Sequence, residues 1–136
     1  MVIKASRKSK YKFRVGRSNA GLGLFTCESI RRDSFVIEYF GPLLNEATAE
    51  KKGGKYLFQI SKKWDIDGTS RKNMARYLNH SCKPNCEAEL DGKRVFIYAI
   101  KNIKTGEELT YHYGKEYFND LIKPRGCRCG ACTQKR

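Results

Sequence analysis

The apolar residues of this chain fall into short runs, each bounded by residues that favour turns. The most apolar runs are rich in β-branched and aromatic residues and cover residues 35–40, 56–60 and 95–100. Runs of this length and composition are typical of β-strands. A membrane-spanning helix would need about 18 consecutive apolar residues, and no segment provides them. The sequence therefore predicts a mainly β domain built from many short strands, with no membrane partner.

Turn residues separate these runs. Asp91-Gly92 lies between residues 87–90 and 93–100, which predicts a β-hairpin with a two-residue turn at this pair. Two further turns are indicated, at Gly53-Gly54 and at Thr105-Gly106.

Helical segments are expected to be few. The clearest candidate covers residues 45–52, because Asn45 can accept a hydrogen bond as an N-cap and acidic residues follow in the first turns. Two further candidates cover residues 71–78 and 115–122.

The length of 136 residues predicts one globular core, and the charge divides the chain further. The formal net charge is +14, and residues 1–17 and 121–136 together carry +12 of it without a single acidic residue. Residues 18–120 are therefore close to neutral, at +2. The basic ends have two interpretations, either docking to an acidic surface such as DNA or a nucleosome, or simple solvation. We expect a basic arm (residues 1–11), a folded body (12–120) and a tail (121–136).

Six cysteines are present, and three of them crowd into the tail as Cys127-x-Cys129-x-x-Cys132. The N-terminus lacks an apolar stretch of signal-peptide length, so an intracellular location is expected rather than Sec-type export. Clustered thiolates in a reducing compartment favour a zinc site over disulfides. A tetrahedral site needs a fourth ligand, for which Cys82 and Cys86 are the first candidates.

Three further constellations could carry chemistry. The first is Ala20-Gly21-Leu22-Gly23, which allows close approach of the backbone to a ligand but lacks the third glycine of a dinucleotide-binding fingerprint. On its own it favours a turn before a strand. The second covers residues 76–86 and contains Asn79-His80-Ser81-Cys82, a dense group of hydrogen-bonding side chains. The third covers residues 106–114 and contains Tyr111-His112-Tyr113, which places both tyrosines on one face of a strand.

The order and spacing of these constellations resemble the SET-domain protein lysine methyltransferases, in the short stand-alone form that some bacteria encode, with a post-SET-like cysteine tail. The resemblance covers roughly residues 12–132. It implies a β-clip-like fold of small curved sheets with a C-terminal pseudoknot. It also implies S-adenosyl-L-methionine (AdoMet) as methyl donor and structural Zn²⁺. The family's usual tail has four residues between its last two cysteines, where this chain has two.

The resemblance assigns roles to individual residues. The implied catalytic tyrosine is Tyr113, with Tyr39 and Tyr111 in the lysine channel. The implied cofactor-binding residues are Ala20, Gly21, Leu22, Gly23, Tyr56, Asn79 and His80. The implied zinc ligands are Cys82, Cys127, Cys129 and Cys132. A tyrosine at position 111 implies a product that is mainly monomethylated.

The expected substrate is a lysine in a basic protein, such as a histone, a histone-like protein or a ribosomal protein. The expected location is the cytoplasm or chromatin, with a secreted effector acting in a host nucleus as the alternative. Two other functions compete with methyl transfer: a zinc-stabilised nucleic-acid-binding module and a peptide-binding module without catalysis. The sequence lacks the His-x-Glu and Pro-Cys-x-x-Cys patterns of zinc deaminases.

Overall fold

The computed structural model describes residues 6–19, 21–53 and 56–113. Within these residues, ten strands form three small sheets, accompanied by one α-helix and one 3-10 helix. The strands are β1 (Phe13–Ser18), β2 (Gly21–Thr26), β3 (Phe35–Tyr39), β4 (Leu43–Asn45), β5 (Leu57–Gln59), β6 (Trp64–Asp67), β7 (Asn79–His80), β8 (Cys86–Asp91), β9 (Arg94–Ala99) and β10 (Glu108–Tyr111). Helix α1 covers Glu46–Lys52 and the 3-10 helix covers Met74–Tyr77. The predicted mainly β fold of small sheets is confirmed.

The first sheet has the strand order β1-β2-β10-β7. β1 and β2 form an antiparallel hairpin in which Ser18 pairs with Gly21. β10 runs antiparallel to β2 but parallel to β7, so that Thr110 lies beside Asn79 and Tyr111 beside His80. This parallel pair brings two sequence motifs into direct contact.

The second sheet, β3-β9-β8, corrects one turn prediction. β8 and β9 form the expected hairpin, but Asp91 is still paired with Arg94. The two-residue turn is therefore Gly92-Lys93 rather than Asp91-Gly92. Gly92 adopts φ +61°, a left-handed conformation that glycine tolerates without a steric penalty. The turn lies one residue later than predicted because its left-handed first position requires the glycine.

The third sheet has the strand order β4-β6-β5. Helix α1 lies between β4 and β5 in the chain, and the 3-10 helix comes after β6. The helix predicted at residues 45–52 is confirmed, with the Asn45 side chain accepting a hydrogen bond from the Thr48 amide at 2.9 Å. The helix predicted at residues 71–78 is only the short 3-10 helix. The candidate at residues 115–122 lies outside the described residues.

The core draws side chains from the first and second sheets, and only part of it comes from the apolar runs at residues 35–40 and 95–100. Leu24, Val36, Leu78, Ile97 and Leu109 are all at most 2% exposed. Burying such side chains stabilises a fold by roughly 1.5–3 kcal/mol each. The core therefore fixes the relative positions of the strands that carry the polar motifs.

Residues of the basic N-terminal segment contact the body. Glu38 of β3 is 4% exposed and forms an ion pair with Arg94 at 2.7 Å. The backbone amide of Arg7 donates to the same carboxylate at 2.6 Å, and the Arg7 guanidinium lies 3.9 Å from the centre of the Phe35 ring. In the described part of the chain, no helix is both long and apolar enough to cross a bilayer.

Candidate functional site

Three polar side chains from the first sheet form a group that we call the polar cluster: Ser18, Asn79 and Glu108. The Ser18 hydroxyl lies 2.8 and 2.9 Å from the two carboxylate oxygens of Glu108. The Asn79 amide donates to Glu108 Oε2 at 2.9 Å. The cluster joins the ends of β1, β7 and β10, which are far apart in sequence.

The polar cluster also holds the glycine segment at the start of β2. The Asn79 amide donates to the main-chain carbonyl of Leu22 at 2.8 Å. Gly21 has φ +102°, which side chains rarely permit, and a Cβ there would meet nothing within 4 Å. A Cβ on Gly23 would lie 2.4 Å from Glu108 Oε2. Residues 21–23 of the motif therefore lie within strand β2, and Gly23 leaves room for the carboxylate beside it.

Four aromatic rings form a second group, which we call the aromatic array: Tyr39, Phe58, Tyr111 and Tyr113. The Tyr39 and Phe58 ring centroids are 5.2 Å apart, and those of Phe58 and Tyr111 are 6.2 Å apart and nearly parallel. The Tyr111 and Tyr113 centroids are 4.9 Å apart, but β10 ends at Tyr111, so the two rings meet without both lying on the strand that the sequence predicted. Such ring pairs stabilise each other and exclude water from the space they enclose.

The hydroxyls of this array donate to main-chain carbonyls. Tyr113 donates to the Leu78 carbonyl at 2.7 Å, and Tyr39 donates to the Tyr56 carbonyl at 2.6 Å. The Tyr56 carbonyl also accepts from the Gly68 amide at 2.8 Å. Gly68 packs so closely that a Cβ there would lie 2.4 Å from the Tyr39 hydroxyl. The orientation of Tyr39 therefore depends on a glycine that carries no motif.

His80 follows Asn79 in the chain and packs against Tyr113 as a neutral, buried imidazole. Burial, with a smaller contribution from the charge of His112, lowers the pKa of His80 to about 4. Its Nδ1 accepts a hydrogen bond from the Tyr113 amide at 3.1 Å. The proton of the neutral ring is therefore on Nε2, which lies 3.5 Å from the Cys82 sulfur. Both ring nitrogens thus face protein atoms.

The described cysteines differ in their fitness as metal ligands. Cys82 and Cys27 are exposed, whereas Cys86 is buried, and burial raises the pKa of its thiol to about 12. Cys82 is therefore accessible to ligands from other parts of the chain, whereas the Cys86 sulfur is enclosed by the core. Among residues 6–113 as described, no group of three or more His, Cys, Asp or Glu side chains could hold a metal ion. Cys127, Cys129 and Cys132 lie outside the described residues, as does Ala20, so zinc binding stays a prediction.

Tyr56 is held by a residue that the sequence did not single out. The Arg76 guanidinium stacks over the Tyr56 ring at 4.8 Å and over the Tyr77 ring at 4.6 Å, and it donates to the Thr69 carbonyl. Such stacking contributes about 0.5–2 kcal/mol. Arg76 directly precedes Tyr77 and stands close to Asn79, so proximity to the motif was the only sequence signal available.

Two asparagines hold the backbone around the site. Asn73 is fully buried, accepts from the Phe40 amide at 3.2 Å and donates to the Gly68 carbonyl at 3.1 Å. Asn85 donates to the Glu108 carbonyl at 2.8 Å and accepts from the Thr110 amide at 2.9 Å. Each asparagine satisfies one main-chain donor and one main-chain acceptor, because buried main-chain groups need hydrogen bonds. With Glu108, Phe58 and Arg76, they are the site residues to which the sequence assigned no role.

Comparison with known proteins agrees with this geometry. The SET domain family model matches residues 21–114. The chain is 41% identical over 140 residues to histone-lysine N-methyltransferase set-2 of Caenorhabditis elegans, covering 93% of this chain and 9% of that protein. It is 39% identical over 141 residues to an H3 lysine-4 specific histone-lysine N-methyltransferase of Schizosaccharomyces pombe, covering 94% of this chain and 15% of that protein. It is 37% identical over 138 residues to histone-lysine N-methyltransferase ASHR3 of Arabidopsis thaliana, covering 92% of this chain and 27% of that protein.

The chain belongs to the SET-domain family. The family match begins at Gly21, the first residue of β2, and ends one residue after Tyr113. The matched segment therefore includes all four residues of the aromatic array, together with Asn79 and Glu108 of the polar cluster. The chain spans between 9% and 27% of the lengths of the three relatives named above.

Proposed function

We propose that this chain is an AdoMet-dependent protein-lysine N-methyltransferase. The observation that carries the proposal is the parallel pairing of β7 with β10, which sets Asn79 beside Thr110 and His80 beside Tyr111. This pairing places a polar cluster next to an aromatic array. A methyl donor with a polar amino-acid group and a lysine with an apolar stem need these two environments side by side.

The polar side fits the methyl donor. AdoMet supplies a methyl group on a cationic sulfur. The residues that would hold it are Ala20, Gly21, Leu22, Gly23, Tyr56, Asn79 and His80. Support comes from the open space beside Gly21 and from the fixed Asn79 carboxamide. A contact from His80 would use its main chain, because both ring nitrogens already face protein atoms.

The aromatic side fits the lysine amine. A free lysine has a pKa of about 10.4 and must lose its proton before it can attack. Tyr39, Phe58 and Tyr111 surround it with apolar surface, and desolvation lowers an amine pKa. The buried carboxylates among the described residues are Glu38 and Asp67, and each forms an ion pair with Arg94 or Lys52. Neither is placed to act as a general base.

Tyr113 would orient the attacking nitrogen. Its hydroxyl proton is directed at the Leu78 carbonyl, so the oxygen presents its lone pairs away from that bond. If an N–H of the amine donates to this oxygen, the lone pair of the nitrogen points away from Tyr113 and toward the transferring methyl group. Most of the rate enhancement would then come from alignment and water exclusion. Tyr113 is the proposed catalytic residue.

Transfer of a radiolabelled methyl group from AdoMet tests the function. The full chain is incubated with histones, histone-like proteins, ribosomal proteins and itself, and the products are digested to locate the label. We expect label on lysine of at least one basic protein. Tight AdoMet binding without any transfer would favour a peptide-binding module. Salt-dependent DNA binding without AdoMet binding would favour a nucleic-acid-binding module.

The product state is proposed to be mainly monomethyl-lysine. Tyr111 is 7% exposed, and its ring lies between those of Phe58 and Tyr113 within the aromatic array. Its hydroxyl takes space that a methylated amine would need. Tyr111→Phe should therefore shift the product toward di- and trimethyl-lysine in mass spectra. Dominant trimethylation by the unaltered chain would contradict the assignment.

Cys82, Cys127, Cys129 and Cys132 are proposed to bind one structural Zn²⁺. Support comes from the exposed Cys82 thiol and from its contact with the neutral His80 ring, which can donate to a ligating sulfur. Metal analysis of the purified chain should find one zinc per chain. Cys82→Ser should lose the zinc, whereas the control Cys27→Ser should keep it.

The basic ends are proposed to dock on DNA, a nucleosome or another acidic surface near the substrate. Lys8 and Lys10 are exposed, while Arg7 already contacts the body through Phe35 and Glu38. Replacing both lysines by glutamine should weaken salt-dependent DNA binding and leave methylation of a short peptide unchanged. Deleting residues 1–10 would be a less specific test, because it would also remove the contacts of Arg7 with Phe35 and Glu38.

A further inference from the structure

The polar cluster contains a carboxylate, that of Glu108, which has no role in the proposed chemistry. We propose that Glu108 is a positioning residue: it fixes the orientation of the Asn79 carboxamide, so that Asn79 offers its carbonyl oxygen to the amino-acid part of the methyl donor. This inference rests on the proposed function. It adds a residue that acts through Asn79 rather than on the reacting atoms.

The orientation of Asn79 follows from its partners. The Leu22 main-chain oxygen and the Glu108 carboxylate can only accept hydrogen bonds. The atom of Asn79 that lies 2.8 Å from the first and 2.9 Å from the second must therefore be the NH₂ group. A planar carboxamide whose nitrogen faces this cluster directs Oδ1 the other way. Asn79 thus presents an acceptor, which suits a donor such as an ammonium group.

Glu108 is held in place from several sides. Ser18 donates its hydroxyl to the carboxylate, and Asn85 donates to the Glu108 main-chain carbonyl at 2.8 Å. Oε2 packs directly against strand β2 at Gly23, since a Cβ at that position would lie 2.4 Å from the oxygen. The Ser18 hydrogen bond and the close packing against β2 therefore favour the position of the carboxylate beside Asn79.

Leu22 alone would not fix the carboxamide. It can accept one of the two N–H groups, and the second then needs another acceptor. Ser18 Oγ lies at 3.3 Å from the Asn79 nitrogen and already directs its proton toward Glu108. Glu108 is the nearer and the charged acceptor, and hydrogen bonds to charged groups are roughly twice as strong as neutral ones. Removing it should let the amide rotate.

Calorimetric binding of two ligands tests this role. S-adenosylhomocysteine carries the amino-acid part, whereas 5′-methylthioadenosine lacks it. For Glu108→Leu we expect a loss of at least about tenfold in affinity for the first, corresponding to roughly 1.4 kcal/mol, and a change below about twofold for the second. Glu108→Gln keeps an acceptor for Asn79 and should restore most of the affinity. Glu107→Leu, at the exposed neighbouring glutamate, is the matched control.

The outcomes separate the two claims. If the unaltered chain binds neither ligand, the proposed function fails. If it binds both, and Glu108→Leu weakens both equally or neither, the positioning role is wrong. A selective loss that glutamine restores supports it.

Discussion

The two halves of the site are held together in different ways. In the polar cluster, side chains bond to one another: Ser18 and Asn79 share the carboxylate of Glu108. In the aromatic array, Tyr39 and Tyr113 bond to main-chain carbonyls and rest on neighbouring rings. A substitution in the polar cluster therefore disturbs several side chains, whereas loss of one hydroxyl in the aromatic array leaves its surroundings in place.

Two consecutive residues connect these halves. The Leu78 carbonyl accepts from Tyr113, and the Asn79 side chain enters the polar cluster. The side chain of Leu78 is 2% exposed and anchors the pair in the core. Donor and acceptor sides of the proposed reaction are thus fixed to one rigid point in the chain, which suits a reaction that depends on alignment.

The largest effect on stability is expected where the aromatic array has no space. Gly68→Ala would place a methyl group against Tyr39 and Asn73, neither of which has room to move. Overpacking of this kind costs about 1–3 kcal/mol, and we expect the upper end. Chemical denaturation should show the loss, and Tyr39 should shift in a crystal structure. A stability equal to that of the unaltered chain would mean that the aromatic array can rearrange to accept the methyl group, which would contradict its tight packing around Gly68.

A somewhat smaller loss is expected in the polar cluster. Asn79→Ala leaves the Leu22 carbonyl and Glu108 without their shared donor, and each unsatisfied buried group costs about 1–3 kcal/mol, less when water can enter. Since Asn79 is only half-buried, we expect about 2 kcal/mol in the free energy of unfolding. AdoMet affinity should fall at the same time. Unchanged AdoMet affinity in a folded variant would separate the cluster from cofactor binding.

A single hydroxyl in the aromatic array should matter less. Tyr39→Phe removes one donor from the Tyr56 carbonyl, which keeps its bond from the Gly68 amide. The expected cost is about 1 kcal/mol or less. A loss as large as that of Asn79→Ala would show that both halves are equally interdependent.

The smallest effect concerns a thiol in the second sheet, at the start of β8. Cys86 is fully buried and burial raises the pKa of its thiol to about 12, so it should stay protonated and unreactive near pH 8. Iodoacetamide labelling followed by mass spectrometry should modify Cys27 long before Cys86. Equal labelling of the two in the native chain would mean that the second sheet opens readily.

Much of the fold could be predicted because its signals are local. The apolar runs at residues 35–40 and 95–100 became β3 and β9, and Asn45 caps α1 as expected. The hairpin turn was placed one residue early, since either Asp91-Gly92 or Gly92-Lys93 satisfies the same preference for glycine. Local preferences set the element but not its register.

The site was predictable only where a motif carries it. Asn79, Tyr111 and Tyr113 stand in recognisable order, so the sequence could assign them. Glu108 could not be distinguished from the exposed Glu107 beside it, because its role depends on the pairing of β10 with both β2 and β7. Phe58 likewise gains its place from contacts between sheets. Such contacts are long-range in sequence and leave no periodic signal.

The most direct test of the account compares two quantities in one variant, Tyr113→Phe. Methyl transfer to lysine at saturating AdoMet should fall by at least about a hundredfold, or roughly 2.7 kcal/mol of transition-state stabilisation. AdoMet affinity should stay within about twofold, because the polar cluster does not include Tyr113. Tyr98→Phe, at a half-buried position in the second sheet, is the control. Comparable turnover in Tyr113→Phe, or an equal loss of turnover and affinity, would contradict the division of the site into a donor side and an acceptor side.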